Sequence, residues 1–122
     1  AIRAAQLEVL PTGYMLIDGG APTTASYMSD TRPIPANKPD IAACTAMAGE
    51  MLGLQCLYLD TGSGAPFPVA PAVLSAVKAH TQLPLLVGGG IRSGEAARMA
   101  WEAGADLVVV GNALEEDPAL LE

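Results

Sequence analysis

Short aliphatic runs that end in glycine-bearing polar loops recur three times along the chain. They lead into residues 58–64 (Tyr-Leu-Asp-Thr-Gly-Ser-Gly), 85–90 (Leu-Leu-Val-Gly-Gly-Gly) and 108–112 (Val-Val-Val-Gly-Asn), and a further run at 14–18 precedes them. Continuous aliphatic runs of this length are typical of buried parallel strands. Glycines at the carboxyl end of such strands let backbone N–H groups approach an anion, so the pattern predicts a phosphate site.

Helical segments separate the predicted strands. They cover residues 39–52, 71–79 and 93–104, and a shorter one begins at residue 113. Pro39 and Ser93 are residue types that favour the start of a helix. In the first segment, small and apolar residues recur at helical spacing, and the expected inner face consists of Ile41, Cys44, Thr45, Ala48 and Leu52.

Strands that alternate with helices imply a parallel sheet. A doubly wound sheet and a (β/α)₈ barrel both satisfy this order. Glycine loops after the last two strands and a short helix from Ala113 favour the barrel, where phosphate commonly binds at such loops. A complete barrel needs about 250 residues. Residues 1–122 are therefore predicted to form the C-terminal half of a (β/α)₈ TIM barrel, a single domain whose N-terminal half lies outside this sequence.

Two segments have less regular patterns. Residues 1–7 are predicted to be the end of a helix, and the proline-rich residues 21–38 to be a long loop. Long loops often form lids or substrate walls, and a disordered linker is the alternative. We expect this loop to help line a substrate groove.

The composition narrows the range of partners. The chain is 51% hydrophobic and carries a net charge of -7 with only six Lys and Arg residues. Nucleic acid and anionic membrane surfaces bind basic faces, so neither is expected as the main partner. The sequence contains no secretory signal pattern and no apolar run of about 18 residues, which predicts a cytoplasmic protein.

Three motifs in a fixed order carry a resemblance to a known family. They are Tyr-Leu-Asp-Thr-Gly-Ser-Gly-Ala at residues 58–65, Val-Gly-Gly-Gly-Ile-Arg at 87–92 and Val-Val-Gly-Asn at 109–112. Together they resemble the geranylgeranylglyceryl phosphate synthases, as do residues 10–14 and 33–39. The glycine-arginine motif alone is common among phosphate-binding barrels, whereas its combination with residues 58–65 is much more specific.

The resemblance implies a prenyltransferase of ether phospholipid biosynthesis. Such an enzyme joins the C3 hydroxyl of sn-glycerol 1-phosphate to geranylgeranyl diphosphate or a similar long prenyl diphosphate. Asp60 would orient or deprotonate the hydroxyl, and Tyr58 would hydrogen-bond the glycerol or face the allylic cation; the family pattern has Glu in place of Asp60. The residues expected to contact glycerol phosphate are Tyr58, Leu59, Asp60, Thr61, Gly62, Ser63, Gly64, Gly89, Gly90, Gly111 and Asn112.

The resemblance also implies a cofactor and an assembly. Mg²⁺ is the expected cofactor, with its ligands in the N-terminal half, so this chain alone is predicted to be inactive. A homo-oligomer and a peripheral membrane contact for product release are further expectations. Two alternatives remain: another phosphate-binding barrel, such as a histidine-biosynthesis isomerase or cyclase or a flavin oxidoreductase, and a non-catalytic phosphate-binding half-barrel. Residues 58–64 distinguish the synthases from the other barrels.

Overall fold

Four parallel strands form one sheet in the computed structural model, which describes residues 1–121. The strands are β1 (Thr12–Leu16), β2 (Cys56–Asp60), β3 (Leu85–Gly88) and β4 (Leu107–Val108), and their spatial order follows the chain. In the register, Tyr14 lies beside Tyr58, and Leu86 lies beside Leu107. Because all carboxyl ends point the same way, the glycine loops after β2, β3 and β4 meet at one edge of the sheet.

Helices connect the strands at nearly the predicted positions. They are α1 (Thr24–Ser29), α2 (Pro39–Met51), α3 (Pro71–His80), α4 (Gly94–Glu102) and α5 (Asn112–Glu116), followed by a 3₁₀-helix (Pro118–Leu121). Ser93 caps α4 as expected, since its Oγ accepts a hydrogen bond from the Ala96 N–H at 3.2 Å. No helix among residues 1–121 is long and apolar enough to cross a membrane.

The two faces of the sheet differ in burial. One face packs against α2, α3 and α4, and its side chains are almost completely buried: Met15, Leu57, Leu59, Leu85 and Val87. The opposite face is open, with Tyr14 and Leu107 50% and 48% exposed. Side chains alternate along a strand, so the open face also carries Tyr58 and Asp60. The predicted parallel β/α fold is confirmed, and its polar groups lie on the uncovered face.

The prediction for residues 21–38 was wrong in part, because the segment contains α1 and returns to the sheet. Ser26 helps to form α1, since its Oγ accepts a hydrogen bond from the Thr23 N–H at 3.0 Å. Ile34 then pairs with Ile17 in an isolated parallel bridge. The Ile34 N–H donates to the Leu16 carbonyl at 2.8 Å. The segment therefore follows the outer edge of β1.

Three local predictions are corrected. Residues 1–7 form an exposed turn and no helix, because no apolar face is buried there to stabilise one. Strand β4 is shorter than the predicted 105–110 and has one neighbouring strand in the described sheet. In α2 the expected inner face is exposed at Ile41 (44%). The residues that face the core are smaller: Ala42, Ala43, Ala46 and Gly49.

Candidate functional site

A cavity of about 160 Å³ lies at the carboxyl ends of β2, β3 and β4. Eight of the eleven predicted substrate-binding residues line it: Tyr58, Asp60, Ser63, Gly64, Gly89, Gly90, Gly111 and Asn112. The structure therefore brings the three glycine loops together, as the sequence predicts.

Two consecutive glycines after β3 form one wall of the cavity. Gly89 and Gly90 have φ of +79° and +67°, in the left-handed region that favours glycine. A Cβ on Gly89 would lie 2.8 Å from the Gly62 nitrogen, and one on Gly90 would lie 2.5 Å from the Phe67 carbonyl group. The loop after β3 therefore packs on the loop after β2 at a distance that only glycine permits.

A side-chain hydrogen bond joins two of the loops across the cavity. The Ser63 hydroxyl, in the loop after β2, donates to Asn112 Oδ1 at 2.8 Å. Asn112 is the first residue of α5, and both it and Ala113 line the cavity. The partial positive charge at the start of α5 therefore borders the cavity, as an anion site requires.

The Asp60 carboxylate is held through both of its oxygens. Oδ1 accepts a hydrogen bond from the Gly62 N–H at 2.9 Å, and Oδ2 accepts one from the Tyr14 hydroxyl at 2.8 Å. The first bond is an Asx turn that shapes the glycine loop. Asp60 thus caps its loop and also presents a negative charge to the cavity.

Two tyrosine rings flank this carboxylate. Tyr14 and Tyr58 pack edge to face, with ring centroids 5.7 Å apart. Burial raises the pKa of both phenols, and the hydrogen bond to Asp60 further raises the pKa of Tyr14. The charge of Asp60 contributes to the raised pKa of Tyr58. Both hydroxyls therefore keep their protons at neutral pH, and that of Tyr14 donates to Asp60.

One cationic side chain lines the cavity, Arg92. Its Nη1 lies 3.8 Å from Glu116 Oε2 on α5, and both side chains are more than half exposed. Such an exposed pair contributes little to stability. Arg92 therefore places a positive charge at the wall of the cavity, close to α5.

Three predicted binding residues do not line the cavity. Leu59 is fully buried among the core side chains on the helix-covered face. Thr61 is 2% exposed, and its hydroxyl has no hydrogen-bond partner within the part of the chain that the structure describes. Gly62 holds the Asp60 carboxylate through its N–H instead. These residues shape the loop, whereas the cavity wall comes from their neighbours.

Mg²⁺ prefers several oxygen ligands in octahedral geometry. Residues 1–121 contain no group of three or more His, Cys, Asp or Glu side chains that would hold a metal ion. The described residues therefore do not fit a Mg²⁺ site.

Parallel β/α units, glycine loops at the carboxyl ends of the strands and a helix start beside the cavity are features of the TIM-barrel class. Solved structures agree with this class. The chain superposes on (S)-3-O-geranylgeranylglyceryl phosphate synthase from Thermoplasma acidophilum in complex with sn-glycerol-1-phosphate, with a TM-score of 0.86 and 33% identity. The match covers 96% of this chain and 47% of the synthase chain.

The chain belongs to the PcrB family, which matches residues 2–122. It is 58% identical over 120 residues to geranylgeranylglyceryl phosphate synthase from Spirosoma linguale, covering 98% of this chain and 48% of that protein. It is 53% identical over 122 residues to the synthase from Chitinophaga pinensis, covering 100% and 48%. The chain thus spans about half the length of these curated relatives. The resemblance drawn from residues 58–65 is confirmed.

Proposed function

We propose that this chain is the glycerol phosphate-binding part of a prenyltransferase that alkylates sn-glycerol 1-phosphate. The observation that carries the proposal is the convergence of three glycine loops and Asp60 on one cavity of about 160 Å³. Relatives named geranylgeranylglyceryl phosphate synthase, and a solved synthase that holds sn-glycerol-1-phosphate, support the choice of substrate.

The phosphate of the substrate would bind where backbone dipoles converge. Gly89 and Gly90 bring backbone to one side of the cavity, and the start of α5 at Asn112 borders the other. The bond from Ser63 to Asn112 ties the start of α5 to the loop after β2, on which Gly89 and Gly90 pack. A dianion in this position gains charge-assisted hydrogen bonds without a strongly basic surface, in agreement with the net charge of -7.

The glycerol end of the substrate would then lie toward Asp60 and Tyr58. In the transfer, the C3 hydroxyl oxygen forms a bond to C1 of the allylic diphosphate, and the C1–O bond to diphosphate breaks with its electron pair on the leaving group. Asp60 would orient the hydroxyl and accept its proton. Tyr58, with its protonated hydroxyl and its ring beside the carboxylate, would hydrogen-bond the glycerol or face the cationic carbon.

The donor and the cofactor are further parts of the proposal. Geranylgeranyl diphosphate, or a similar long prenyl diphosphate, is the proposed donor. Mg²⁺ dependence remains a prediction, and no step above passes through a metal ion. A homo-oligomer and a transient membrane contact for product release also remain predictions.

The decisive experiment is a prenyl-transfer assay on the gene product that contains this chain. Radiolabelled geranylgeranyl diphosphate and Mg²⁺ are supplied with either sn-glycerol 1-phosphate or its 3-phosphate enantiomer. We expect labelled ether only from the 1-phosphate. Replacing Asp60 by Asn keeps an oxygen for the Gly62 N–H but removes the charge, and should lower kcat by about 10²–10⁴-fold.

Asp18→Asn is the matched control. The Asp18 Oδ1 accepts a hydrogen bond from the Gly20 N–H at 2.9 Å, which is the same type of turn at the end of the neighbouring strand. Asp18 lines a different cavity, beside Pro22 and Ser26. We expect less than a twofold effect from this change. Product from neither enantiomer would contradict the proposed reaction and leave a phosphate-binding barrel of unknown chemistry. Full activity of Asp60→Asn would contradict the role of Asp60.

A further inference from the structure

Tyr14 contacts the proposed base through its side chain but does not line the substrate cavity. Its hydroxyl donates to Asp60 Oδ2 at 2.8 Å from the neighbouring strand. Tyr14 is absent from the lining of the cavity, whereas Asp60 and Tyr58 are part of it. A role for Tyr14 must therefore act through Asp60.

Two hydrogen bonds from opposite sides fix the carboxylate plane of Asp60. The Gly62 N–H occupies Oδ1 at 2.9 Å, and the Tyr14 hydroxyl occupies Oδ2 at 2.8 Å. The Tyr14 ring is itself held edge to face against Tyr58, its register neighbour on β2. Each carboxylate oxygen has further lone pairs, so one remains for a substrate hydroxyl after these bonds are made.

We propose that Tyr14 is a positioning residue that holds the Asp60 carboxylate in the orientation needed to accept the proton of the substrate hydroxyl. This inference rests on the proposed function, because it gives Asp60 the role of base. Burial and the bond to Asp60 raise the pKa of Tyr14, which keeps its hydroxyl a donor over the whole working pH range.

The kinetic test uses Tyr14→Phe, which removes the hydroxyl and keeps the ring that packs on Tyr58. Without its second hydrogen bond the carboxylate rotates more freely, and we expect kcat to fall about fivefold to tenfold. The KM for sn-glycerol 1-phosphate should stay within about twofold, because Tyr14 does not line the cavity. Tyr27→Phe is the matched control: Tyr27 is 84% exposed, and its hydroxyl has no partner in the range that the structure describes.

A double-mutant cycle separates positioning from a general structural effect. In the Asp60→Asn background, Tyr14→Phe should change kcat by less than about twofold, because the base is already absent. Equal losses in both backgrounds would overturn the proposal, as would full kcat in Tyr14→Phe. Loss of activity in Asp60→Asn together with full activity in Tyr14→Phe would refute only the positioning role. An inactive parent protein or an active Asp60→Asn variant would instead refute the proposed function.

The contact itself can be tested without turnover. Tyrosinate absorbance is followed during an alkaline titration of the folded protein and its variants. We expect Tyr14→Phe to remove the step at highest pH, and Asp60→Asn to move that step to lower pH, because the hydrogen bond and the negative charge are gone. If neither variant alters the titration, Tyr14 does not bind Asp60 and the inference fails, whatever the activity assay shows.

Discussion

Gly90 provides the sharpest stability test in the molecule. It has φ of +67°, and a Cβ added there would lie 2.5 Å from the Phe67 carbonyl carbon and oxygen and 2.6 Å from the Pro68 nitrogen. Contacts below 3.4 Å are tighter than nine in ten real Cβ contacts. Gly90→Ala therefore requires the backbone at Phe67 to move by about 0.9 Å, the difference between 3.4 and 2.5 Å.

Gly53 is a control that separates the two contributions. It has φ of +85°, and a Cβ there would meet no atom within 4 Å. Gly53→Ala should add only the local strain of an alanine in the left-handed region, at about 1–2 kcal/mol. Gly90→Ala adds the displacement of packed backbone, at about 1–3 kcal/mol. We expect the two variants to differ by about 2 kcal/mol in the free energy of unfolding.

Urea unfolding followed by circular dichroism measures this difference. With m of about 2 kcal/mol/M, the midpoint of Gly90→Ala should lie about 1 M below that of Gly53→Ala. Failure of Gly90→Ala to fold, while Gly53→Ala folds, would also support the close packing of Gly90 on Phe67. Midpoints within about 0.3 M of each other would refute the argument that the loop after β3 packs too closely on Phe67 for any side chain.

Three further predictions concern the cap of α4, the pKa of Tyr14 and the hydrogen bond between Ser63 and Asn112. Ser93→Ala removes the N-cap of α4 and should lower the free energy of unfolding by about 1 kcal/mol; no change in the urea midpoint would contradict the cap. Because the folded-state pKa of Tyr14 is raised, the folded protein binds that proton more tightly than the unfolded chain, so stability should fall as pH rises above about 10. Urea unfolding measured from about pH 9 to 11 should show a smaller loss of stability with pH in Tyr14→Phe than in the unchanged protein. An equal dependence of the free energy of unfolding on pH in the two proteins would contradict the raised pKa of Tyr14. Ser63→Ala breaks the bond to Asn112 and should weaken calorimetric binding of sn-glycerol 1-phosphate about threefold to tenfold, whereas unchanged affinity would show that the bond does not shape the site.

The strands and the glycine loops were predictable because their signals are local. A run such as Leu85 to Val87 is buried in the sheet, and its apolar character follows directly from that environment. The turn at Gly89 and Gly90 needs positive φ, which few other residues tolerate. The order of elements then leaves few topologies, and the parallel sheet follows.

Helix faces and edges were harder to predict because they depend on what packs against them. In α2 the larger residues suggested the inner face, but Ala42, Ala46 and Gly49 face the core because α2 packs closely on its neighbours. Gly49 shows this closeness, since a Cβ there would lie 2.9 Å from Leu54 Cδ1. A prediction from hydropathy alone places the larger apolar residues on the inner face, because it contains no information on how closely the helix packs.

Contacts between distant residues within the site were also missed. Tyr14 is 46 residues from Asp60, and Ser63 is 49 residues from Asn112. Tyr14 ends the segment 10–14 that resembles the family, but that resemblance gave it no role, and only the register of β1 against β2 places it beside Tyr58. The sequence did contain a partial signal for the shared face. Tyr14, Tyr58 and Asp60 are polar or aromatic residues in strands that are otherwise aliphatic, and side chains at alternate positions of a strand lie on the same face of the sheet.

Asp60 stands where the family pattern has glutamate, and its shorter side chain shapes the loop after β2. The carboxylate accepts the Gly62 N–H two residues later, a turn that a longer side chain forms less well. Ser63 follows directly in the same loop and is joined to Asn112 at the wall of the cavity. On the proposed function, a phosphate that orders this loop would also order Asp60, while Tyr14 would hold the carboxylate from the neighbouring strand. The proposed base would thus be positioned by two elements, of which only the loop contacts the substrate.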